Sequence, residues 1–211
     1  MQNGIAFARS VASGRGAHDE IRRVSDEALI GAIRDGSRVA MQILFARYQV
    51  RIYRFILRRI GETAAAEDLT SEVFITVWRH ASQFEARSSV TTWLLAIARY
   101  KSLAELRHRH RIESRLNSPN TENSSDTPSL PETPELALQA EDRRRIMRKC
   151  LEQLQREHRT IIDLVYYHEK SVNEVAEIVD VPPNTVKTRM YCARRRLAEL
   201  LKDEGIVGLS S

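Results

Sequence analysis

A stretch near the carboxyl end carries the kinds of side chain with which proteins contact nucleic acid. The segment from Pro183 to Arg196 contains no Asp or Glu, and on a helix its outward side presents short hydrogen-bonding groups followed by long cations. Short polar groups near the start of a helix suit base edges, and cations further along suit phosphates. A solvated surface helix rich in arginine has the same composition, so the pattern indicates DNA binding without establishing it. The candidate contacts are Thr185, Lys187, Thr188, Arg189, Tyr191, Arg194 and Arg195.

The residues before this stretch predict how it is held. Glu157 to His168 is rich in apolar residues and predicts a short buried helix. Ser171-Val-Asn-Glu174 has the spacing of a capping box, which begins another short helix through Ile178. A tight turn at 180–182 and a longer helix follow, and two helices joined in this way form a helix-turn-helix. The longer helix has apolar residues at steps of four and three: Val186, Met190, Ala193, Leu197 and Leu200.

Charged residues of both signs cluster in the first half of the chain. Apolar residues at Leu69, Val73 and Val77 predict an amphipathic helix from Ala64 to His80, with acids on another side. After a polar loop, Phe84 to Thr91, a second helix becomes basic at its far end. Such a pair of helices could dock one face on a protein and the other on nucleic acid. The charged residues concerned are Glu67, Asp68 and Glu72, then Arg99, Lys101, Arg107, Arg109 and Arg111.

Catalysis is not indicated by these residues. Glu67 and Asp68 are adjacent, so on a helix they point in different directions. The sequence offers no nucleophile with a nearby base, no glycine-rich phosphate loop and no metal-spaced histidine set. Cys150 and Cys192 are too few for a disulfide framework or a structural zinc site. We therefore predict a protein that is not an enzyme and that uses no metal or other cofactor.

The remaining periodicity is helical as well. A first helix begins at the cap residue Ser25, and a second ends at Gly61. In the helix after the polar loop, Trp93, Ile97 and Tyr100 keep steps of four and three, so we expect all three to face the core. Stacking of Trp93 on DNA is the alternative. No alternating strand pattern or repeat competes with this interpretation.

These elements predict an all-α fold of two small helical domains joined by a flexible linker. Residues 114–135 are rich in Pro, Ser, Thr, Asn and acids, which places an acidic linker there. It separates a first domain at 25–113 from a second domain at 136–211 that contains the helix-turn-helix. Residues 1–24 show no sustained period and are predicted to be a mobile arm.

Overall composition favours a polyanionic partner and a cytoplasmic location. The 211 residues include 33 Lys and Arg against 28 Asp and Glu, a formal net charge of +5. The scarcity of cysteine indicates a reducing compartment. No apolar run approaches the roughly 20 residues that a membrane helix needs, so we expect no membrane insertion.

Two blocks of this sequence closely resemble the extracytoplasmic-function (ECF) sigma factors, the small promoter-recognition subunits of bacterial RNA polymerase. The block Phe45 to Arg109 is similar to the family's domain two, and the block Leu151 to Leu201 is similar to its domain four. The first block carries A-E-D-L-T-x-E-V-F at 66–74 and W-L-x-x-I-A-R at 93–99. The second carries R-x-x-I-x-L at 159–164, E-V-A-E at 174–177 and T-V-K-T-R at 185–189. Two blocks in the correct order are more specific than either alone.

The resemblance implies roles for the candidate residues. In the family the acidic helix of domain two docks on a coiled coil of the polymerase β′ subunit, which assigns Asp68, Leu69 and Glu72 to that interface. The loop and helix that follow melt the minus-ten element and capture its non-template strand. The helix-turn-helix of domain four reads the minus-thirty-five element as duplex DNA. The residues that grip phosphates at the minus-ten element are then Arg99, Lys101, Arg107 and Arg109.

The resemblance also implies partners. They are core RNA polymerase, through its β′ and β subunits, promoter DNA, and an anti-sigma factor that covers the two domains, in a stress or envelope response. The acidic linker resembles the family's segment that threads toward the active-site cleft and the RNA exit path. Its acids Glu122, Asp126 and Glu132 give it an RNA-like charge.

Some positions depart from the family pattern. Tyr100 and Ala104 stand where many relatives have Asn and Asp, so the strand-opening contacts of this helix differ from the common ones. Cys192 stands where an arginine often contacts DNA, and we assign it no contact. A redox switch at Cys192 and a plain substituted cysteine remain alternatives, because a reactive thiol needs exposure and a lowered pKa.

Two other functions remain as rivals. A one-component regulator would use its N-terminal helices for ligand binding or dimerisation and would bind its operator alone. An adaptor or decoy would bind polymerase without promoter activity. The need for core polymerase separates the first rival from a sigma factor, and run-off transcription separates the second.

Overall fold

The computed structural model describes residues 24–116 and 134–205 as two compact units. Eight α-helices and no strand are present in these two ranges, which confirms the all-helical prediction. The first unit contains helices α1–α4 and the second contains α5–α8. The predicted arm at 1–24 and linker at 114–135 lie almost entirely outside the described residues.

Two helix ends of the first unit, at Ser25 and Gly61, are those that the sequence predicts. The Ser25 hydroxyl accepts a hydrogen bond from the Ala28 amide at 3.2 Å, which satisfies a free N–H of the first turn. Gly61 ends α2 with φ 76°, a left-handed conformation that glycine adopts without steric cost. The helices are α1 Asp26–Arg34, α2 Arg38–Ile60, α3 Thr63–His80 and α4 Val90–Leu116, with a 3-10 turn at Ala81–Gln83.

Helix α2 is the centre of this unit, because α1, α3 and α4 all pack on it. Its apolar stripe is fully buried, and burial of each such side chain contributes about 1.5–3 kcal/mol. Facing residues from α3 and α4 complete the core. The buried residues are Leu44, Ile52, Phe55 and Ile56 from α2, Val73 and Val77 from α3, and Leu94, Leu95 and Ala98 from α4.

The predicted inward stripe of α4 is wrong at Tyr100 and only partly right at Trp93 and Ile97. Tyr100 is 72% exposed, and Trp93 and Ile97 are only half-buried. Ser102 occupies the core instead, fully buried, where its hydroxyl donates to the Ala98 carbonyl at 2.8 Å. This local hydrogen bond satisfies the hydroxyl, so a polar residue can take a core position that periodicity assigns to an apolar one.

The second unit contains four helices and one irregular turn. The predicted helix from Glu157 to His168 is interrupted: after α6 the chain forms a π-helical turn, Asp163–Tyr167, closed by the His168 amide donating to the Asp163 carbonyl at 3.2 Å. This hydrogen bond spans five residues instead of four, so the helix forms a π-bulge at this turn. The helices are α5 Pro134–Glu152, α6 Arg156–Ile162, α7 Val172–Val179 and α8 Pro183–Asp203.

Arg159 closes the turn between α5 and α6. Its guanidinium donates to the Glu152 carbonyl at 2.9 Å and also contacts the Leu154 carbonyl at 3.4 Å. The Glu152 carbonyl lies at the end of α5, where helix carbonyls lack partners within the helix, and Leu154 lies in the turn that follows. Burial lowers the pKa of Arg159 below its usual value. The first residue of the R-x-x-I-x-L motif therefore holds the turn between α5 and α6.

Candidate polymerase and nucleic-acid interfaces

The helix-turn-helix of the second unit is built by α7, a tight turn and α8. The capping box is confirmed, since the Ser171 hydroxyl accepts from the Glu174 amide and the Glu174 carboxylate accepts from the Ser171 amide. Asp180 ends α7 in the left-handed region with φ 53°, which aspartate tolerates better than most residues. Pro183 then begins α8, where the missing N–H costs nothing.

One face of α8 packs on the unit and the other faces solvent. Val186 and Ala193 are fully buried and Met190 is 8% exposed. Of the predicted DNA contacts, Thr185 and Arg189 lie half-buried on the flanks, and the other five are exposed. Tyr191 is 68% exposed. The exposed five are Lys187, Thr188, Tyr191, Arg194 and Arg195.

The arginines at the end of this face have different partners. Arg195 and Arg196 share the Glu199 carboxylate at 3.2 and 3.3 Å. Exposed pairs of this kind contribute about 0.2–1 kcal/mol, so a phosphate can displace the carboxylate at little cost. Arg194 instead contacts Tyr166: Nε donates to the phenol oxygen at 2.9 Å, and Cζ lies 5.7 Å from the ring centre.

Tyr166 is a residue that the sequence interpretation missed. It was placed inside a predicted buried helix, but it is 54% exposed because the π-helical turn turns it outward. Its neighbour Tyr167 is 57% exposed. Two tyrosines at the end of a short apolar segment were the available signal, since a phenol normally needs a polar neighbour or solvent.

The acidic face of α3 is partly as predicted. Asp68 and Glu72 are exposed, whereas Leu69 is 7% exposed and packs into the core. The apolar side chain of Leu69 therefore anchors the helix beneath the two acids, and its contact with polymerase remains a prediction. Glu72 is already engaged, since its Oε2 lies 2.9 Å from Nζ of Lys101 on α4.

The basic end of α4 is tied to the rest of its unit by ion pairs. Arg109 contacts Glu62 through Nη2 and Glu105 through Nε, both at 2.7 Å. Partial burial lowers the pKa of Arg109, but the hydrogen bonds to these two carboxylates outweigh it and raise the pKa above its usual value. Of the other predicted phosphate contacts, Arg107 is exposed and Arg99 is half-buried. The structure thus places the four predicted cations on one helix, where Lys101 and Arg109 pair with acids.

The loop before α4 is short and packed at its base. Ring centres of Phe84 and Trp93 lie 5.1 Å apart, so Trp93 supports the loop. Ser89 caps α4 by accepting from the Thr92 amide at 3.2 Å. Between Phe84 and Ser89, Ala86 has φ 54°, and Glu85, Ala86 and Arg87 are exposed. This arrangement leaves the loop tip open to a partner.

No helix in residues 24–116 and 134–205 is long and apolar enough to cross a bilayer. Within the same two ranges, no three His, Cys, Asp or Glu side chains cluster closely enough to hold a metal ion. Cys192 is exposed on α8 and Cys150 is buried. Burial raises the pKa of the Cys150 thiol.

Both units match families of known proteins. The model of Sigma-70 region 2 matches residues 44–112, and that of Sigma-70, region 4 matches residues 144–197. The ECF RNA polymerase sigma factor SigX of Bacillus subtilis is 32% identical over 169 residues, which cover 77% of this chain and 86% of SigX. SigK of Mycobacterium tuberculosis, another ECF RNA polymerase sigma factor, is 28% identical over 179 residues, covering 83% and 92% of the two chains.

A solved structure has the same fold. It is the sigma factor RpoE in complex with the anti-sigma factor NepR from Bartonella quintana, with a TM-score of 0.65 and 24% identity, covering 76% of this chain and 96% of that one. The region 2 match includes α3 with its acidic face, and the region 4 match includes the helix-turn-helix up to residue 197. On this evidence the chain belongs to the ECF RNA polymerase sigma factors.

Proposed function

We propose that this chain binds core RNA polymerase through α3 and directs it to promoters through α4 and α8. The observation that supports this division is the placement of charge. Asp68 and Glu72 stand exposed on the region 2 unit, and an acid-free outward face from Lys187 to Arg195 stands exposed on the region 4 unit. An acidic face suits a basic surface of a protein, whereas the cationic face of α8 suits duplex DNA.

The DNA roles follow from the chemistry of each face. Lys187, Thr188 and Tyr191 lie near the start of α8, where a recognition helix contacts base edges of the major groove. We assign this face to the minus-thirty-five element. Arg107 and its neighbours on α4, together with the open loop before it, are assigned to the single strand of the minus-ten element, where cations track phosphates.

The partners and location are part of the same proposal. The polymerase contacts are assigned to the β′ and β subunits, with β′ meeting α3. The solved sigma factor of similar fold is held by an anti-sigma factor, which supports regulation of this chain by such a protein in a stress or envelope response. The protein acts in the cytoplasm, where polymerase and promoter are found, and it has no catalytic step of its own.

Gel filtration with core polymerase tests the docking face. The wild-type chain is expected to comigrate with core, and Asp68→Lys is expected to weaken comigration because it places a cation where an acid meets a basic surface. Asp142→Lys is the matched control, since it makes the same charge change at an exposed position of the other unit. Equal behaviour of the two variants would contradict the assignment to α3.

Run-off transcription separates the proposal from its rivals. The chain with core polymerase is expected to start transcripts at defined sites, which core alone does not. Stable binding of a single DNA site without core would instead indicate a self-sufficient regulator. Comigration with core but no transcript from any template would indicate an adaptor.

A further inference from the structure

The contact between Tyr166 and Arg194 joins two side chains that packing does not force together. Tyr166 lies on the π-helical turn and is 54% exposed, and Arg194 is exposed on α8. The phenol oxygen accepts from Nε at 2.9 Å, and the guanidinium carbon lies 5.7 Å from the ring centre. The tyrosine therefore holds the arginine through both its hydroxyl and its ring.

The contact leaves the phosphate-binding edge of the guanidinium available. Among the described residues, Tyr166 is the one polar or cation–π partner of Arg194, and it uses Nε and the π face. Because Nε is occupied, the fork formed by the two terminal nitrogens is the part of the guanidinium that can still bind phosphate oxygens in a pair. Lys187, Tyr191 and Arg194 follow at steps of four and three, so Arg194 lies on the DNA-facing stripe.

The turn that carries Tyr166 is firmly anchored. Asp163 and Leu164 are buried beneath it, and the Lys170 amide donates to the Leu164 carbonyl at 3.0 Å. An α-helix continuing through this segment would place the tyrosine on a different side, so the π-helical turn determines the contact. An arginine that is already ordered loses less freedom when it binds a phosphate.

We infer that Tyr166 is a positioning residue that holds Arg194 ready for a phosphate group of duplex DNA. This inference rests on the proposed DNA-reading function of α8. Tyr166 itself does not contact the DNA, and its whole effect passes through Arg194.

Fluorescence anisotropy of the full chain with a labelled mixed-sequence duplex tests the inference. A duplex of about 40 base pairs suffices because phosphate contacts carry no sequence requirement. Tyr166→Ala is expected to weaken binding by about three- to tenfold, from loss of a charged hydrogen bond and a cation–π contact. Tyr166→Phe keeps the ring and is expected to lose about half of that effect on a logarithmic scale. Tyr167→Ala, a change at an equally exposed neighbour, is expected to bind as the wild type does.

The double variant is the decisive measurement. Arg194→Ala is expected to lower the slope of log affinity against log salt by about 1. Adding Tyr166→Ala to Arg194→Ala is expected to cause no further loss, since Tyr166 acts through the arginine. A further loss in the double variant, or wild-type binding by Tyr166→Ala, overturns the inference.

Two controls keep the result interpretable. Circular dichroism melting checks that each variant folds, and Tyr166→Phe carries the test by itself if Tyr166→Ala does not. The proposed function is judged separately by gel filtration and run-off transcription with core polymerase. Failure there, with the expected pattern of duplex binding, would reject the sigma-factor assignments and leave the positioning role intact.

Discussion

The ion pair between Glu72 and Lys101 predicts that polymerase docking releases a cation for DNA binding. Glu72 belongs to the proposed polymerase face and Lys101 to the proposed single-strand face, yet Nζ and Oε2 are 2.9 Å apart. When a basic surface of polymerase takes the carboxylate, the ammonium becomes available to phosphate. The free chain is therefore held in a state of lower DNA affinity.

The size of the effect follows from exposure. The Lys101 side chain is 21% exposed and that of Glu72 is 55% exposed. Solvent therefore screens the attraction, and the pair contributes about 0.5–1 kcal/mol of interaction free energy. Glu72→Gln removes the attraction but keeps the shape of the side chain. We expect it to raise the affinity of the free chain for single-stranded DNA about two- to fivefold, while weakening its binding to core polymerase.

Anisotropy with a labelled single-stranded oligonucleotide at low salt measures this change. Glu67→Gln is the matched control, because it removes the same charge from an exposed position of α3 whose side chain has no ion pair within the described residues. Equal gains for the two variants would refute the reasoning, since net charge alone would then explain them. A gain for Glu72→Gln that persists in Lys101→Met would refute it as well.

Three further predictions concern stability. Leu94→Ala, at a fully buried position of α4, is expected to lower the free energy of unfolding of the first unit by about 2–5 kcal/mol in urea titration, whereas a change below 1 kcal/mol would contradict the packing. Ser171→Ala removes the cap of α7 and is expected to cost about 1 kcal/mol, seen as a lower melting temperature of the second unit. Burial first, and then the hydrogen bond to Asp26, raise the pKa of Tyr48 above its ordinary value near 10. Because the unfolded chain releases that proton first, stability is expected to be full below pH 10 and to fall as the pH rises from there through the folded pKa. Tyr48→Phe should lack this fall in pH-dependent denaturation.

The sequence predicts the elements best where local chemistry determines them. Ser25, Gly61 and the capping box from Ser171 to Glu174 act on backbone groups a few residues away, so their spacing can be read directly. The outward face of α8 was predictable for the same reason, because the buried Val186 and Ala193 fix which side remains.

Features that depend on tertiary partners were not predictable. Periodicity predicts Tyr100 inside and gives Ser102 no core position, because the packing of α4 on α2 decides which side is buried. The buried Ser102 hydroxyl is then satisfied on its own helix. The π-helical turn and the resulting Tyr166–Arg194 contact join residues 28 positions apart. Likewise, the pairing of Glu72 with Lys101 spans 29 positions, and no local pattern reports it.

The ion pairs of the first unit also fix how α3 and α4 lie along each other. Glu62 pairs with Arg109 and Glu72 pairs with Lys101. The earlier acid thus pairs with the later cation, as it does when two helices run in opposite directions. The two pairs are ten residues apart on one side, about 15 Å of helix. A slip of one helical turn, about 5.4 Å, would break both at once. A partner that takes the Glu72 carboxylate therefore removes one of the two pairs that hold this alignment and leaves the pair at Glu62.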